Sequence, residues 1–457
     1  MATSGLAFPA FNVFPTFACL LSSYLDSGYR DYSGYQVLRI NTSSDRAFDL
    51  IQNIYHADGY DFWSPPSRIN PTDILVPPGK LGTITSLLRI INVPYQAVVK
   101  NLQRDVDLER SQTSVRQTET MTWTSYHRLA TIHAWEDSLA SNYPDLVEVL
   151  DIGKSFEGRP LRVIKISTSK TNEKKPAIWI DGGIHAREWI SPATVTYMAN
   201  ELIKMTAHGN NTRLVDIFDW YINPNVNPDG YEYTWTVDRM WRKTRSTSST
   251  KDGEPEKRSI FEQIFGCCKG TDPNRNFAHE WGGKGTSKNK CSEIYHGPKA
   301  ASESEVKAVQ NFIYERRDTI KLFLTFHSYS QMLLLPWGYD ATRTPDHDEL
   351  MDVANRAAKR LESVHGTKYQ VGPSPELLYP AAGGSEDYAK GVAGIKFAYC
   401  FELRDTGTYG FILPARQIIP SGQETFEAVM SMAEDMITYY KLDNSSAVAS
   451  STLPASF

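Results

Sequence analysis

At 457 residues the chain is long enough to bury at least one large core, and two unequal domains are expected. A charged fraction of 22% and a formal net charge of −5 exclude a basic field able to hold nucleic acid or an anionic membrane surface. An aromatic content of 12% suits a well-packed globular protein and argues against disorder.

Residues 1–33 include "LAFPAFNVFPTFACLLSSYL", apolar like a secretory signal but interrupted by Pro9 and Pro15, with no basic residue before Arg30. This reads as a degenerate signal peptide of a secreted protein. No later stretch offers the ~18 uninterrupted apolar residues of a membrane-spanning helix. Asn41, Asn210 and Asn444 each begin a glycosylation triplet, which adds slightly to the secreted reading.

Residues 34–100 read as a small α+β unit: strand "YQVLRI", helix "DRAFDLIQNIYHA", an extended piece at Phe62-Trp63, strand "DILVPP" and helix "LGTITSLLRIINV". The polar stretch that follows, without Pro or Gly, predicts an exposed connecting helix running through residues 101–122 into a cleavable linker containing Arg104, Arg110 and Arg116. A plain interdomain linker has the same composition.

Residues 123–442 alternate apolar runs with amphipathic helices, the pattern of an α/β domain. "PAIWI", "FDWYINPNVN", "IKLFLTF" and "IKFAYCF" are nearly unbroken apolar, as strands covered on both faces should be. Ser191 followed by Pro192 predicts a helix start and Gly209 its stop, and Ser302 with Glu305 predicts a capping box. Residues 247–258 should be a solvated loop and 443–457 a disordered tail. Five cysteines cannot frame a chain of this size but can staple it locally. Cys268 and Cys291 flank a Gly-, Asn-, Lys- and Ser-rich loop whose closure contributes roughly 3 kcal/mol. Cys19, Cys267 and Cys400 are left over, and five reduced, buried thiols are the alternative.

His185 follows "PAIWIDGG", while His327 and Glu402 end two other apolar strands. All three therefore fall at carboxyl ends of strands, where open α/β sheets form their ligand crevice. His185 and Glu188, three residues apart as a helix begins, can face one atom. With His327 they make a His₂Glu set that leaves a position open for water, as in catalytic zinc sites. Glu402, in the apolar "YCFELRD", is the candidate proton acceptor. The bland readings are a satisfied surface pair for His185 and Glu188, a core histidine for His327, and a structural Glu402–Arg404 pair. Arg187, Arg239, Arg242 and Arg275 supply fixed cations in a net-acidic chain, which suggests recognition of a carboxylate.

"HAREW", "RMWRKTRS", "DPNRNF", "TFHSYSQ", "LYPAAGG" and "FELRDTGTYGF" stand in the order and approximate spacing of the secreted zinc carboxypeptidases related to carboxypeptidases A and B, which the chain resembles over about residues 34–440. The resemblance implies a mixed eight-stranded sheet with helices on both faces, preceded by an α+β open-sandwich prodomain that covers the cleft until a trypsin-like protease cuts near Arg110 or Arg116. It implies one Zn²⁺ held by His185, Glu188 and His327, with Glu402 as general base and acid. Arg242 would polarise the scissile carbonyl and stabilise the oxyanion. Asn274, Arg275 and Tyr379 would grip the terminal carboxylate of a peptide or protein substrate, with Arg187 and Arg239 lining the approach. Asp272 would orient a metal-bound imidazole, and Cys268 would pair with Cys291. A monomer, without nucleic-acid or membrane partners, is expected.

The position of Glu386, at the base of the family's side-chain pocket, is apolar in A-type and Asp in B-type enzymes. A buried carboxylate there favours C-terminal Lys or Arg, because an unpaired one is costly. A Glu that folds aside or pairs locally leaves an A-like, aliphatic-preferring pocket. The rivals in other classes are an inactive C-terminus-binding homologue and a non-haem iron oxygenase, which also uses two His and a carboxylate.

Overall fold

The computed structural model describes residues 28–55, 59–115, 120–169, 174–209, 212–247 and 268–442. All but Thr247 of the expected loop 247–258, the tail 443–457, Cys19, Cys267, Arg116, Asn210 and the triplet at Asn444 lie outside the described residues.

The N-terminal unit comprises β1 (Gln36–Ile40), α1 (Asp45–Tyr55), β2 (Asp61–Phe62), β3 (Thr72–Val76), α2 (Pro78–Ile90) and β4 (Tyr95–Val99), with the sheet in the order β2-β3-β1-β4 and every pairing antiparallel. Strand alternation decides which face meets what. Leu38, Ile40, Ile74 and Val76 pack on Ala47 and Ile51 of α1 and Ile84 and Leu88 of α2. Val37, Leu75 and Val99, on the opposite face, join Tyr32 and Trp63 against Met240, Phe411 and Ile412 of the C-terminal unit. Neither the strand β4 nor the docking of Tyr32, from the segment before residue 34, was expected from sequence.

The connecting helix α3 (Leu102–Val115) forms as expected, but it is not exposed all round. Leu102, Val106, Glu109 and Thr113 recur at helical spacing and are buried, making one face that docks.

The C-terminal unit is a mixed eight-stranded sheet in the order β11-β10-β12-β9-β7-β8-β6-β5. It is built from α4 (Leu129–Asn142), β5 (Val147–Lys154), β6 (Pro160–Ile166), β7 (Ala177–Gly182), α5 (Ile190–Ala207), α6 (Arg213–Ile217), β8 (Asp219–Asn223), α7 (Pro228–Thr236), α8 (Ser304–Glu315), β9 (Ile320–Ser328), β10 (Met332–Leu335), α9 (His347–His365), β11 (Gln370–Pro373), α10 (Ser374–Leu377), α11 (Ser385–Gly391), β12 (Phe397–Leu403) and α12 (Ile418–Tyr440). The central strands β8, β7, β9 and β12 run parallel and are the apolar runs of the sequence. The outer strands β5, β6, β10 and β11 carry half-exposed positions or span only four residues, so no long apolar run announced them. Helices α4, α5, α9 and α12 cover one face, and α8 and α11 the other.

Two capping expectations fail because the side chains are engaged by partners other than the helix N–H groups. The helix α5 begins at Ile190, ahead of Ser191, whose hydroxyl donates to Phe326 O (2.6 Å) and accepts from Gly183 N (2.9 Å). The Ser302 hydroxyl donates to Glu303 and accepts from Asn276, while Glu305 accepts from Phe156 N. Gly209 ends α5 as expected, in a left-handed conformation with φ +71°.

Phe401 is fully buried and stacked on Phe326 with centroids 4.8 Å apart, joining β12 to β9 directly behind the catalytic crevice expected at their carboxyl ends. Phe401→Ala is expected to lower unfolding stability by about 3–5 kcal/mol. Chemical denaturation checks it, and a loss below ~1 kcal/mol contradicts this account of the core.

Candidate active site

Alternation along three neighbouring strands sends one set of side chains into the core and the other into a crevice. Ile178 and Ile180 of β7, Leu322, Leu324 and Phe326 of β9, and Tyr399 and Phe401 of β12 enter the larger core. The residues between them, Asp181, Thr325, His327, Cys400 and Glu402, point the other way, and the parallel register sets Asp181 and Cys400 beside Thr325 and Glu402 beside His327. His185 reaches this edge through a turn that needs Gly183: at φ +65° a Cβ there would come within 3.0 Å of Asn225.

His185, Glu188 and His327 converge, all buried. His185 Nδ1 lies 2.8 Å from Glu188 Oε1, His327 Nδ1 lies 3.2 Å from Glu188 Oε2, and the two Nδ1 atoms are 3.1 Å apart. Tetrahedral positions at a zinc–nitrogen length of about 2.0–2.1 Å lie about 3.3 Å from one another, so the set fits such an ion. The protons agree with this. His185 Nε2 faces Asp272 Oδ1 at 3.1 Å, which places the ring proton there and turns the Nδ1 lone pair inward. Two lone pairs and a carboxylate then meet at one point, which favours a cation.

The electrostatics point the same way. Burial works to deprotonate His327, yet its hydrogen bond to Glu188 and the charge of that carboxylate prevail and hold the imidazole up at about 9. Burial would raise Glu188, but the two imidazoles keep it far below the usual carboxylate range. A metal ion bound here would take the place of the proton this triangle otherwise captures. Glu402 is pushed up to about 8 by burial and by the charges of Glu188 and Glu386, against the pull of His327 and Arg242. It does not pair with Arg404, whose guanidinium binds Glu424 and Gln417.

One cavity is lined by His185, Glu188, Arg242, Asn274, Arg275, His327, Tyr379, Glu386 and Glu402, with Trp63 and Pro65 of the N-terminal unit forming part of its wall. Arg242 is anchored by Asp272 (Nη2 to Oδ2, 2.9 Å) and lies 3.8 Å from Glu188. Arg275 donates to the carbonyls of Gly285 and Asn274, leaving its buried Nη2 without a hydrogen-bond partner. Gly383 permits this packing: at φ +79° a Cβ there would meet Arg275 O at 2.4 Å. Asn274 accepts from Ser385 N. The Glu386 carboxylate lies between Gly338 and Gly384, and its Oε2 is buried without a partner, while Asp387 beside it accepts from Gly338 N and Tyr339 N. Cys268 is bonded to Cys291, and Cys400 is a buried free thiol on the cavity wall.

Arg187 and Arg239 are not brought into this cavity. Arg187 pairs with Asp61 of the N-terminal unit at 2.8 Å beneath the Phe411 ring. Arg239 pairs with Glu109 of α3 at 2.6 Å and donates to Arg187 O and Phe411 O. Tyr329 donates to Asp73 at 2.7 Å, adding a third contact between the units. The sequence reading missed these acidic partners. Glu109 was legible only as one residue of the i, i+4, i+7 face of α3.

The chain matches the zinc carboxypeptidase family over residues 132–428 and the carboxypeptidase activation peptide over residues 38–109. It belongs to the zinc carboxypeptidase family and is a metallocarboxypeptidase zymogen with an activation peptide. It is 48% identical to carboxypeptidase B of Astacus astacus over 68% of this chain and 97% of that protein. It is 41% identical to carboxypeptidase A4 of Mus musculus over 89% of this chain and 94% of that one. Among solved structures, it is similar to thrombin activatable fibrinolysis inhibitor with a TM-score of 0.77 at 37% identity, covering 88% of this chain and 98% of that one. Among the described residues no helix is long and apolar enough to cross a membrane.

Glu109→Ala leaves the buried Arg239 charge unpaired, and a loss of about 3–5 kcal/mol is expected. Chemical unfolding and faster limited proteolysis of α3 check this; unchanged values contradict it.

Proposed function

We propose that the chain, once its activation segment is cut, removes the last residue of peptides and proteins using one zinc ion held by His185, Glu188 and His327. The carrying observation is the convergence of those three buried ligand atoms beside Glu402 and an unpartnered Arg275 nitrogen in one cavity. Bound zinc supplies Lewis acidity, polarising a carbonyl and drawing the pKa of water towards neutrality. Arg275, with Asn274 and Tyr379, takes the substrate's terminal carboxylate, for which its free Nη2 is suited. Glu402 accepts a proton from water as the water oxygen bonds to the scissile carbonyl carbon. Arg242, fixed by Asp272, faces the negative charge that develops on the carbonyl oxygen. When the C–N bond breaks, Glu402 returns the proton to the departing amine.

For specificity we propose a preference for C-terminal Lys or Arg. The unpartnered Glu386 Oε2 supports it: local pairing does not satisfy that atom, and the flanking glycines make room for the longer acid. Activation follows a trypsin-like cut in residues 101–122, where Arg110 lies on α3 and stacks over Tyr29. The boundaries 34–100, 101–122 and 123–442 serve as prodomain, connector and catalytic domain. Secretion is supported by the disulfide, which fits an oxidising compartment, and by the activation peptide. The cavity is built from the described residues of one chain, which supports a monomer.

Trypsin-treated protein is expected to release Arg and Lys in preference to Leu, Phe and Glu from matched peptides. Glu386→Gln should lower kcat/KM for C-terminal Arg by roughly 100-fold. Preferential release of Leu or Phe overturns the specificity. Glu402→Gln should lower kcat by roughly 100-fold or more with zinc still bound; near-normal turnover overturns its role.

A further inference from the structure

We infer that Asp181, acting through the Thr325 hydroxyl, is a positioning residue that fixes the tautomer and orientation of His327. This inference rests on the zinc-centre reading above. The two imidazoles of the triangle are supported differently. His185 has its outer nitrogen on a carboxylate, Asp272, directly. His327 Nε2 faces Thr325 Oγ1 at 3.3 Å, and Thr325 Oγ1 lies 2.7 Å from Asp181 Oδ1.

The direction of these bonds follows from what each group can do. Trp179 Nε1–H is a donor only and occupies Asp181 Oδ2 at 2.6 Å. Asp181 Oδ1 therefore accepts from the Thr325 hydroxyl, which commits that group's single proton. Thr325 Oγ1 is left as an acceptor, so the facing His327 nitrogen must carry its proton on Nε2. The Nδ1 lone pair then points at Glu188 and His185, where a metal ion would sit. Thr325 and His327 share a face of β9, and Asp181 is the registered neighbour of Thr325 on β7, so the sheet itself sets the relay. Asp181, Thr325 and His327 are all essentially solvent-free, so water does not replace the hydroxyl if it is removed.

The test uses the full chain. Zinc affinity is measured by chelator competition for wild type, Thr325→Val, Thr325→Ser and Asp181→Asn, beside long-range ¹⁵N–¹H spectra of the histidine rings. Thr325→Val is expected to weaken zinc binding 10–100-fold and Thr325→Ser to restore it, with the wild-type His327 protonated on Nε2. If Thr325→Val does not fold, Asp181→Asn and the wild-type ring spectrum carry the test. Either folded variant, Thr325→Val or Asp181→Asn, holding zinc within twofold of wild type, or a metal-free wild-type His327 with no proton on Nε2, overturns the relay and leaves the zinc centre standing. A wild-type chain that binds no zinc overturns both.

Discussion

Lone-pair repulsion inside a dry cavity is the constraint on which the rest of the structure depends. Two imidazole nitrogens and a carboxylate lie within 3.2 Å of one another at the edge of a sheet, in surroundings that solvate none of them. Around them four carboxyl groups, Glu188, Asp272, Glu386 and Glu402, stand against two guanidiniums, Arg242 and Arg275, so that without a metal ion protons on Glu402 and His327 must offset the acidic excess. A divalent cation at the triangle would take over that role. The same reasoning accounts for Glu402, whose elevation reflects burial among other acids, and which a dication bound nearby would lower again, favouring its carboxylate form.

The activation peptide exploits a second set of buried charges. Arg187 and Arg239, both 1% exposed, depend on carboxylates that the catalytic unit does not supply, Asp61 and Glu109. These pairs flank an apolar seam in which Trp63 contacts Phe411 and Tyr329. Docking thus combines hydrophobic burial with charge pairs that cost several kcal/mol when broken singly. Removal of the prodomain frees both arginines together and opens the cavity wall made by Trp63 and Pro65.

Much of this was legible in the chain itself. The central strands are unbroken apolar runs because both faces are covered, and the site residues sit at their ends because parallel strands share a carboxyl edge. The outer strands escaped notice because half-exposed or four-residue segments carry no comparable run. The misjudged caps at Ser191 and Ser302 show how a local signal is overridden when a hydroxyl finds a distant partner, Phe326 O for the first and the Asn276 amide for the second. Asp61, Glu109, Asp181 and Thr325 were invisible as functional residues because their roles arise from neighbours across strands or between units. Asp181, an acid at the end of an apolar run, and Glu109, on the periodic face of α3, carried a hint in their own surroundings.

The central claim is that the triangle of His185, Glu188 and His327 exists to hold one metal ion. Anomalous diffraction at the zinc edge from crystals of the full chain tests it most directly. The account predicts a single peak per chain within bonding distance of His185 Nδ1, Glu188 and His327 Nδ1. Fully occupied zinc bound elsewhere, with those three side chains bonded only to each other, would contradict it.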